Sequence, residues 1–560
     1  MKKTLLQTTV ALALALFPQV GLAQTVVLTG GNIYSVDENR SWAEAVAFDP
    51  DGIIIAVGSM TSVMAAAGQD PKVIDLMGRM VLPGFQDVHL HAVEAGVNSV
   101  LCEFEPFDNL DNYRATVEDC AENGDTGEWV LGSGVNMTAL LELHPNPVAV
   151  LDELVPDRPV LILDDIGHGA WANSLALRSV GYDTAADAPN GNIILRNDAG
   201  APNGVVLENA PHNLRTQAFP PTRDNLDFAY DSLLAAAKEL NANGITTASD
   251  AGGYWPQGHH KVWDWAEDNG ALTIRASNAF YIYPDRPFED QLAELRELYH
   301  NDPERLVRFN QAKIYVDGIL SQATGALLAP YEDGLGLRQG EEHGYLYFPE
   351  EDLMRAAREL SAAGFQLHFH VTGDYGARLA LDAIAHADRA SGPHRLTHLY
   401  LTDPQDHPRF AELDAVADFQ LAPSALDSGY VDFMQTFLGD RATRLLAAGD
   451  LIDAGATVTL SSDWDADELN PLVKITAAVG RDSNGLPDVA TAIEAMTINP
   501  AYLLKHDDRT GSIEVGKYAD LVVISENILE MPVAEIANAK IEATLLQGEA
   551  VFDAGGLFSD

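Results

Sequence analysis

Cysteine is scarce: the 560 residues contain only Cys102 and Cys120. Neither belongs to a CxxC pair or lies near a histidine pair, which excludes a cysteine-built zinc site. Neither sits in a motif that marks a nucleophile. An oxidising compartment permits a disulfide between them, and their spacing alone does not decide it. Basic residues are also few. Lys and Arg total 34 against 83 Asp and Glu, a formal charge of −49. A surface of that sign repels nucleic acid and anionic membranes. The acids are spread along the chain rather than gathered in a tail, so they read as a solvated surface. Beyond the N-terminal segment no stretch is apolar enough to cross a bilayer. No GxSxG elbow occurs, so a serine nucleophile of that kind is absent.

What is present begins with MKKTLLQTTVALALALFPQVGLAQ. Lys2 and Lys3 form a basic start, Ala11 to Phe17 centre a short apolar run, and Gly21-Leu22-Ala23 supplies small residues. This pattern is a secretory signal peptide over residues 1–23, cut after Ala23. No cysteine follows the cut, which argues against a lipoprotein. The expectation is a periplasmic or secreted protein with no stable membrane insertion.

Residues 24–82 and 505–560 are rich in short β-branched runs broken by Gly, Asp and Asn, such as VVLTGGNIYSV, GIIIAVGS, YADLVVISE and IEATLLQGEAVFD. They predict a small β-sandwich domain built from both termini. The middle, 83–504, alternates strands with amphipathic helices. Strands are expected over 83–91, 244–252, 272–282, 311–318, 365–374, 394–403, 415–423 and 456–465. Eight βα units with right-handed crossovers predict an α/β fold, a TIM-like (β/α)8 barrel. Gly244, Gly364 and Gly455 stand where helices end just before strands, as C′ caps do. Residues from about 98 to 225 do not fit the repeat and are too long for a loop. They predict a large α/β insertion after the first barrel strand, over the active-site mouth, where it would shape a substrate pocket.

The first barrel strand ends in His89-Leu90-His91. Side chains two apart on a strand face the same way, so the imidazoles converge, half of a zinc-type site. Other strand ends supply partners: Lys313 on strand 4, His370 on strand 5, His398 on strand 6 and Asp463 on strand 8. Any one of these alone reads more readily as structural. Their recurrence at the same end of separate strands is the metal-site signal.

These stretches together resemble the amidohydrolase superfamily, and within it the amidohydrolase 3 group that includes N-substituted formamide deformylases and YtcJ-like proteins. The resemblance is carried by LPGFQDVHLH, DDIGHGAWANSLAL, KIYVDGILSQATGALLAPY, HFHVTGDYGARLALDA, RLTHLYLTDPQDHPRFAEL, LSSDWDADELNPL and GSIEVGKYADLVV. It implies a bound divalent metal, most often zinc, as one or two ions. By that likeness His89 and His91 bind one ion and His370 and His398 the second. Lys313 matches a position that can be a carboxylated lysine bridging the two. Asp463 touches the first ion and shuttles the proton. His168 lies in a segment near the substrate and is placed to hydrogen-bond a carbonyl, while Asn173 and Ser174 read equally as helix caps.

An ammonium beside dications is disfavoured. Lys313 is therefore carboxylated, deprotonated, or turned toward an acid such as Asp317. His368 would face the same way as His370 and reads as a residue behind the ligands or in the core. Asp250 and Asp374 read equally as partners of ligand histidines and as turn carboxylates. Trp171, Tyr254, Trp255 and Trp464 are candidates for an aromatic pocket, with core packing the stronger reading of each. His259, His260, His343, His386, His394 and His407 receive no role. The function expected is hydrolysis of a non-peptide C–N bond in a small-molecule amide, N-acyl or N-formyl compound by metal-activated water, with His398 or His168 steadying the oxyanion. The same site could serve a lactonase, an esterase or a heterocycle deaminase, and a catalytically silent exported ligand-binding protein is the alternative of another class. A homo-oligomer is compatible with the sequence.

Overall fold

The computed structural model describes residues 24–98, 101–124, 128–184, 190–332, 342–423, 428–481 and 483–559. The leader expected over 1–23 lies outside them. Eight parallel strands form the central sheet. They are β1 (Phe85–Leu90), β2 (Ile245–Asp250), β3 (Arg275–Tyr281), β4 (Val307–Tyr315), β5 (Gln366–Val371), β6 (His394–His398), β7 (Ala415–Phe419) and β8 (Thr457–Leu460). Each pairs with its successor in sequence. The ends of the sheet meet just beyond β8, where the Asp463 amide donates to the His89 carbonyl at 2.8 Å and the His91 amide to Trp464 at 2.6 Å. That is the eight-strand barrel the repeat predicts. Its strands are buried along nearly their whole length, because helices cover the outer face while the inner face fills the barrel.

The helices follow from local signals. Glu350–Ala362 has three acids in its first turn and a buried stripe of Leu353, Ala356, Ala357 and Leu360. Gly364 beyond it sits at φ +99, and Gly244, after Arg223–Ala242, at φ +79. Both are left-handed positions that side chains other than glycine resist. β6 ends at His398 rather than 403 and β8 at Leu460 rather than 465, so Asp463 lies beyond its strand, and two further elements differ from expectation. β4 begins at Val307 rather than 311, since Val307, Arg308 and Phe309 already pair with Ala276, Ser277 and Asn278 of β3. Between β7 and β8, Ser428–Leu438 is a further helix, followed by a short 3₁₀ turn and only a brief helix, Ala448–Asp453.

After β1 the chain forms a six-stranded sheet in the order Asn192–Arg196, Pro202–Glu208, Gly169–Ala172, Val160–Asp164, Val130–Val135, Cys102–Glu103. It has its own apolar core around Phe104, Tyr113, Ile162 and Trp171. Trp171 therefore packs inside this unit, with its indole N–H on the Pro147 carbonyl at 3.0 Å, and is not a pocket residue. Cys102 on the edge strand and Cys120 on helix Leu110–Asn123 are joined by a disulfide.

Strands from the two chain ends share another eight-stranded sheet. Leu521–Ile524 runs antiparallel to Met80–Pro83, the strand that leads through Gly84 into β1. Val26, Leu28, Phe48, Leu521 and Leu545 share one core. Among the described residues no helix is long and apolar enough to cross a membrane. This sheet is tied to the barrel by a buried ion pair. Arg275 of β3 donates to Asp520 at 2.8 Å, and Asp520 also accepts the Gln547 amide at 2.8 Å. Replacing one partner strands the other charge, so Asp520→Asn is expected to cost about 3 kcal/mol. A shift of the denaturant midpoint measures this; an unchanged midpoint would contradict the role given to the pair.

Candidate metal centre

Strand ends bring three candidate ligands to one point. His89 and His91 leave β1 on the same side, and Asp463 follows β8. Asp463 Oδ1 lies 3.2 Å from His89 Nε2 and 3.3 Å from His91 Nε2. Each of these residues offers a donor atom within 4.8 Å of the others. Two imidazole nitrogens and a carboxylate oxygen in such a cluster suit a divalent cation. Asp463 holds its position in the left-handed region, at φ +59, and His398 does so at φ +75. Strain of this kind concentrates at functional sites and persists where the surroundings enforce it. Burial opposes ionisation of Asp463, but His89, His91 and His398 outweigh it and hold the carboxyl well below its ordinary range.

The ligand rings are fixed from behind. His91 Nδ1 faces Glu94 Oε2 at 2.8 Å, and Arg215 from the insertion grips the other oxygen of Glu94. This is the carboxylate–histidine arrangement that orients a metal ligand. Burial lowers the His91 pKa, yet its bonds to Asp463 and Glu94 prevail and push it up to about 10. Behind His89, Arg395 donates to His368 Nδ1 at 2.6 Å, which puts the His368 proton on Nε2, 2.9 Å from His89 Nδ1. His89 then carries its own proton on Nε2. Thr397 Oγ1, whose hydroxyl donates to Asp418 at 2.7 Å, also lies 3.0 Å from His89 Nδ1.

Lys313 reaches the same point, with Nζ 3.2 Å from His89 Nε2. It does not turn to Asp317, whose carboxylate accepts the backbone N–H groups of Thr372, Gly373 and Ala326 instead. Burial pushes the Lys313 pKa down to about 7. The ring centroids of His370 and His398 lie 4.4 Å apart, and His398 Nδ1 is 3.8 Å from Asp463 Oδ2. His370 donates from Nε2 to the Gly318 carbonyl at 3.2 Å, while its buried Nδ1 has no partner. An unsatisfied imidazole acceptor beside His398 and in the field of Lys313 fits a second cation.

A cavity of about 210 Å³ opens onto Asp463, His91 and His398. The insertion supplies much of its wall, including Ser133, Asp164, Asp165, His168, His212 and Arg215. His168 Nδ1 is held by Glu208 at 2.8 Å, with its ring centroid 4.9 Å from that of His370. Asn173 nearby caps helix Ser174–Ser179 by accepting the Ala176 amide. Tyr254 lines the cavity, against the stronger expectation of core packing, while Trp255 and Trp464 do not; the Trp255 indole N–H donates to the Tyr281 carbonyl. Asp250 accepts from Gly252 and Trp263, and Asp374 from Leu328, so neither orients a ligand histidine. Sequence reasoning missed Glu94, Arg215, Thr397 and Glu208. Only Glu94 carried a signal, an acid three residues after His91 at the start of helix Ala92–Asn98.

Comparison with known proteins agrees with this architecture. N-substituted formamide deformylase of Arthrobacter pascens is 27% identical over 95% of this chain and 99% of its own length. Protein LONG AFTER FAR-RED 3 of Arabidopsis thaliana is 26% identical over 96% of this chain and 93% of its own. Among solved structures, an uncharacterized metal-dependent hydrolase from Pyrococcus horikoshii OT3 matches with a TM-score of 0.70 at 19% identity, covering 91% of this chain and 99% of that one. Its counterpart from Pyrococcus furiosus gives 0.68 at 21% identity, covering 91% and 100%. These two likenesses show the fold. The profile of the Amidohydrolase family matches residues 72–552, so the chain belongs to the amidohydrolase family and is a hydrolase.

Proposed function

We propose that this protein is an exported, metal-dependent amidohydrolase that cleaves a non-peptide carbon–nitrogen bond in an N-acyl or N-formyl amide. The observation that carries the reading is the convergence of His89 Nε2, His91 Nε2 and Asp463 Oδ1 at the open end of the barrel. The N-substituted formamide deformylase among the relatives supports the choice of bond. The leader-like N-terminal pattern and the Cys102–Cys120 disulfide support export.

His89, His91 and Asp463 would hold one ion, zinc by chemical preference for this donor set. His370, His398 and a carboxylated Lys313 would hold a second. A divalent ion so bound supplies Lewis acidity, which polarises a carbonyl and acidifies water. The chain's own groups do the rest. Asp463 lines the cavity and remains ionised, so it can take the proton from an attacking water and return it to the leaving nitrogen. The products are a carboxylic acid and an amine. Glu208 holds His168 Nδ1 and raises the His168 pKa against the effect of burial. That leaves His168 Nε2–H to steady the developing oxyanion, with His398 beside it. Lys313, partly neutral near pH 7, has the lone pair that adds carbon dioxide, forming an N–C bond to give a carbamate with release of a proton.

Chelation is expected to abolish hydrolysis of an N-formyl or N-acetyl amide, and a divalent metal to restore it. Asp463→Asn should retain metal while turnover falls by roughly 10²–10⁴-fold. Full activity of a rigorously metal-free preparation, or turnover of lactones but no amide, would overturn the reading. His91 holds a proton up to pH about 10 and must release one before Nε2 can become a ligand. Calorimetric titration with zinc at pH 7 in buffers of different ionisation enthalpy should therefore report release of about one proton; a buffer-independent heat would contradict this. After equilibration with ¹³C-bicarbonate, the wild type should show a carbamate carbon resonance that Lys313→Ala lacks. A resonance unaltered by that substitution would remove Lys313 carboxylation.

A further inference from the structure

The cavity wall built by the insertion is acidic in a way that the metal centre does not use. Glu94, Asp164, Asp165, Asp463 and Asp465 all line the cavity. Two of them are committed: Glu94 to Arg215 and His91, and Asp463 to His89 and His91. Arg215 is the single Lys or Arg among the described lining residues, and its charge is matched by Glu94. The other three acids form side-chain hydrogen bonds only to neutral amides, although Asp465 also lies in the field of Arg215 and His91, and Asp164 in that of His168. Asp465 accepts from Asn98 at 3.0 Å, Asp165 from Asn136 at 3.2 Å and Asp164 Oδ2 from Gln322 at 2.8 Å.

Asp164 is the informative member. It ends the insertion strand Val160–Asp164, is 5% exposed, and its Oδ1 has no hydrogen-bond partner. His212, 6% exposed on the same cavity, leaves Nδ1 equally unpartnered. A buried polar atom without a partner costs free energy unless something else meets it. Burial, reinforced by neighbouring Asp165, pushes the Asp164 pKa up to about 7, a shift that an arriving cation would reverse. A cavity whose described wall carries five carboxyl groups and a single Arg, itself paired with Glu94, favours positive charge.

We propose that the substrate carries a cationic amino group, which Asp164 and Asp165 receive while its acyl–nitrogen bond lies at the His89–His91–Asp463 end of the cavity. The substrate class is then the N-acylated diamines and related basic amides. This rests on the hydrolytic reading of that end, and it adds a specificity site on the insertion.

The test compares N-acetylputrescine with N-pentylacetamide, which has a methyl group in place of the ammonium. The wild-type holoenzyme should favour the cationic amide by at least about tenfold in kcat/KM, mostly through KM. Asp164→Asn should bring the two amides toward parity, and Asp165→Asn should do so in part. If the wild type hydrolyses N-pentylacetamide as well as N-acetylputrescine, the cation site is overturned, whether or not the variants fold. Calorimetry with N-acetylputrescine separates the two claims. Binding without hydrolysis, weakened in Asp164→Asn, upholds the cation site and removes the amidohydrolase reading. No binding and no hydrolysis of N-acetylputrescine by the wild type removes the cation site.

Discussion

Asp463 Oδ1 rests between His89 Nε2 and His91 Nε2 because the barrel closes there: the Asp463 amide donates to the carbonyl of His89, joining the chain after β8 to the end of β1. That seam makes residues 374 positions apart neighbours. Without it, the histidine pair would be two imidazoles at the end of an edge strand. The left-handed backbone at Asp463 turns its side chain back toward the barrel axis, and the closed barrel enforces that conformation. The rest of the centre is arranged about this contact. Glu94 and Arg215 set His91, Thr397 and His368 set His89, and Lys313 approaches from β4.

Putting so many polar groups in a barrel interior requires that each meet another. Arg395 lies fully buried beneath the centre and donates to Gln311, Ser249 and His368. Asp418 receives Thr397, Thr459 and Ser461. These bonds fix the ligand rings at the cost of conformational freedom, which favours a centre whose geometry exists before a ligand arrives. Among the described residues some buried polar atoms stay without a partner, including Nε and Nη1 of Arg395 itself. Others are His370 Nδ1, on a ring beside His398, and Asp164 Oδ1 and His212 Nδ1, on residues of the cavity wall contributed by the insertion. The barrel thus supplies the candidate metal ligands, and the insertion supplies much of the cavity wall beside them.

The barrel was legible because its signal is repetitive. Seven of the eight apolar runs follow an amphipathic helix, and Gly244 and Gly364 mark two of the handovers by conformational necessity. His89 and His91 were legible from their spacing, and Lys313, His370, His398 and Asp463 from their recurrence at strand ends. Partners that act across long separations were not. Arg215 meets Glu94 over 121 positions, and Thr397 meets His89 over 308, with no local pattern to announce either contact. The aromatic residues were ambiguous for another reason: Trp171 and Tyr254 look alike in sequence, and only the packing of the insertion separates a core indole from a cavity phenol. Asp250 and Asp374 resembled ligand-orienting acids, but nearby backbone N–H groups were closer partners for both.

The central claim is that His89, His91 and Asp463 are ligands of a divalent ion. X-ray absorption spectroscopy of the zinc-loaded protein tests it most directly, because it reads the ligand shell without requiring a substrate. The account predicts a shell of nitrogen and oxygen donors with the outer-shell scattering of imidazole, reduced when His89 and His91 are replaced together. A shell of oxygen alone, or one unchanged in that double variant, would contradict it.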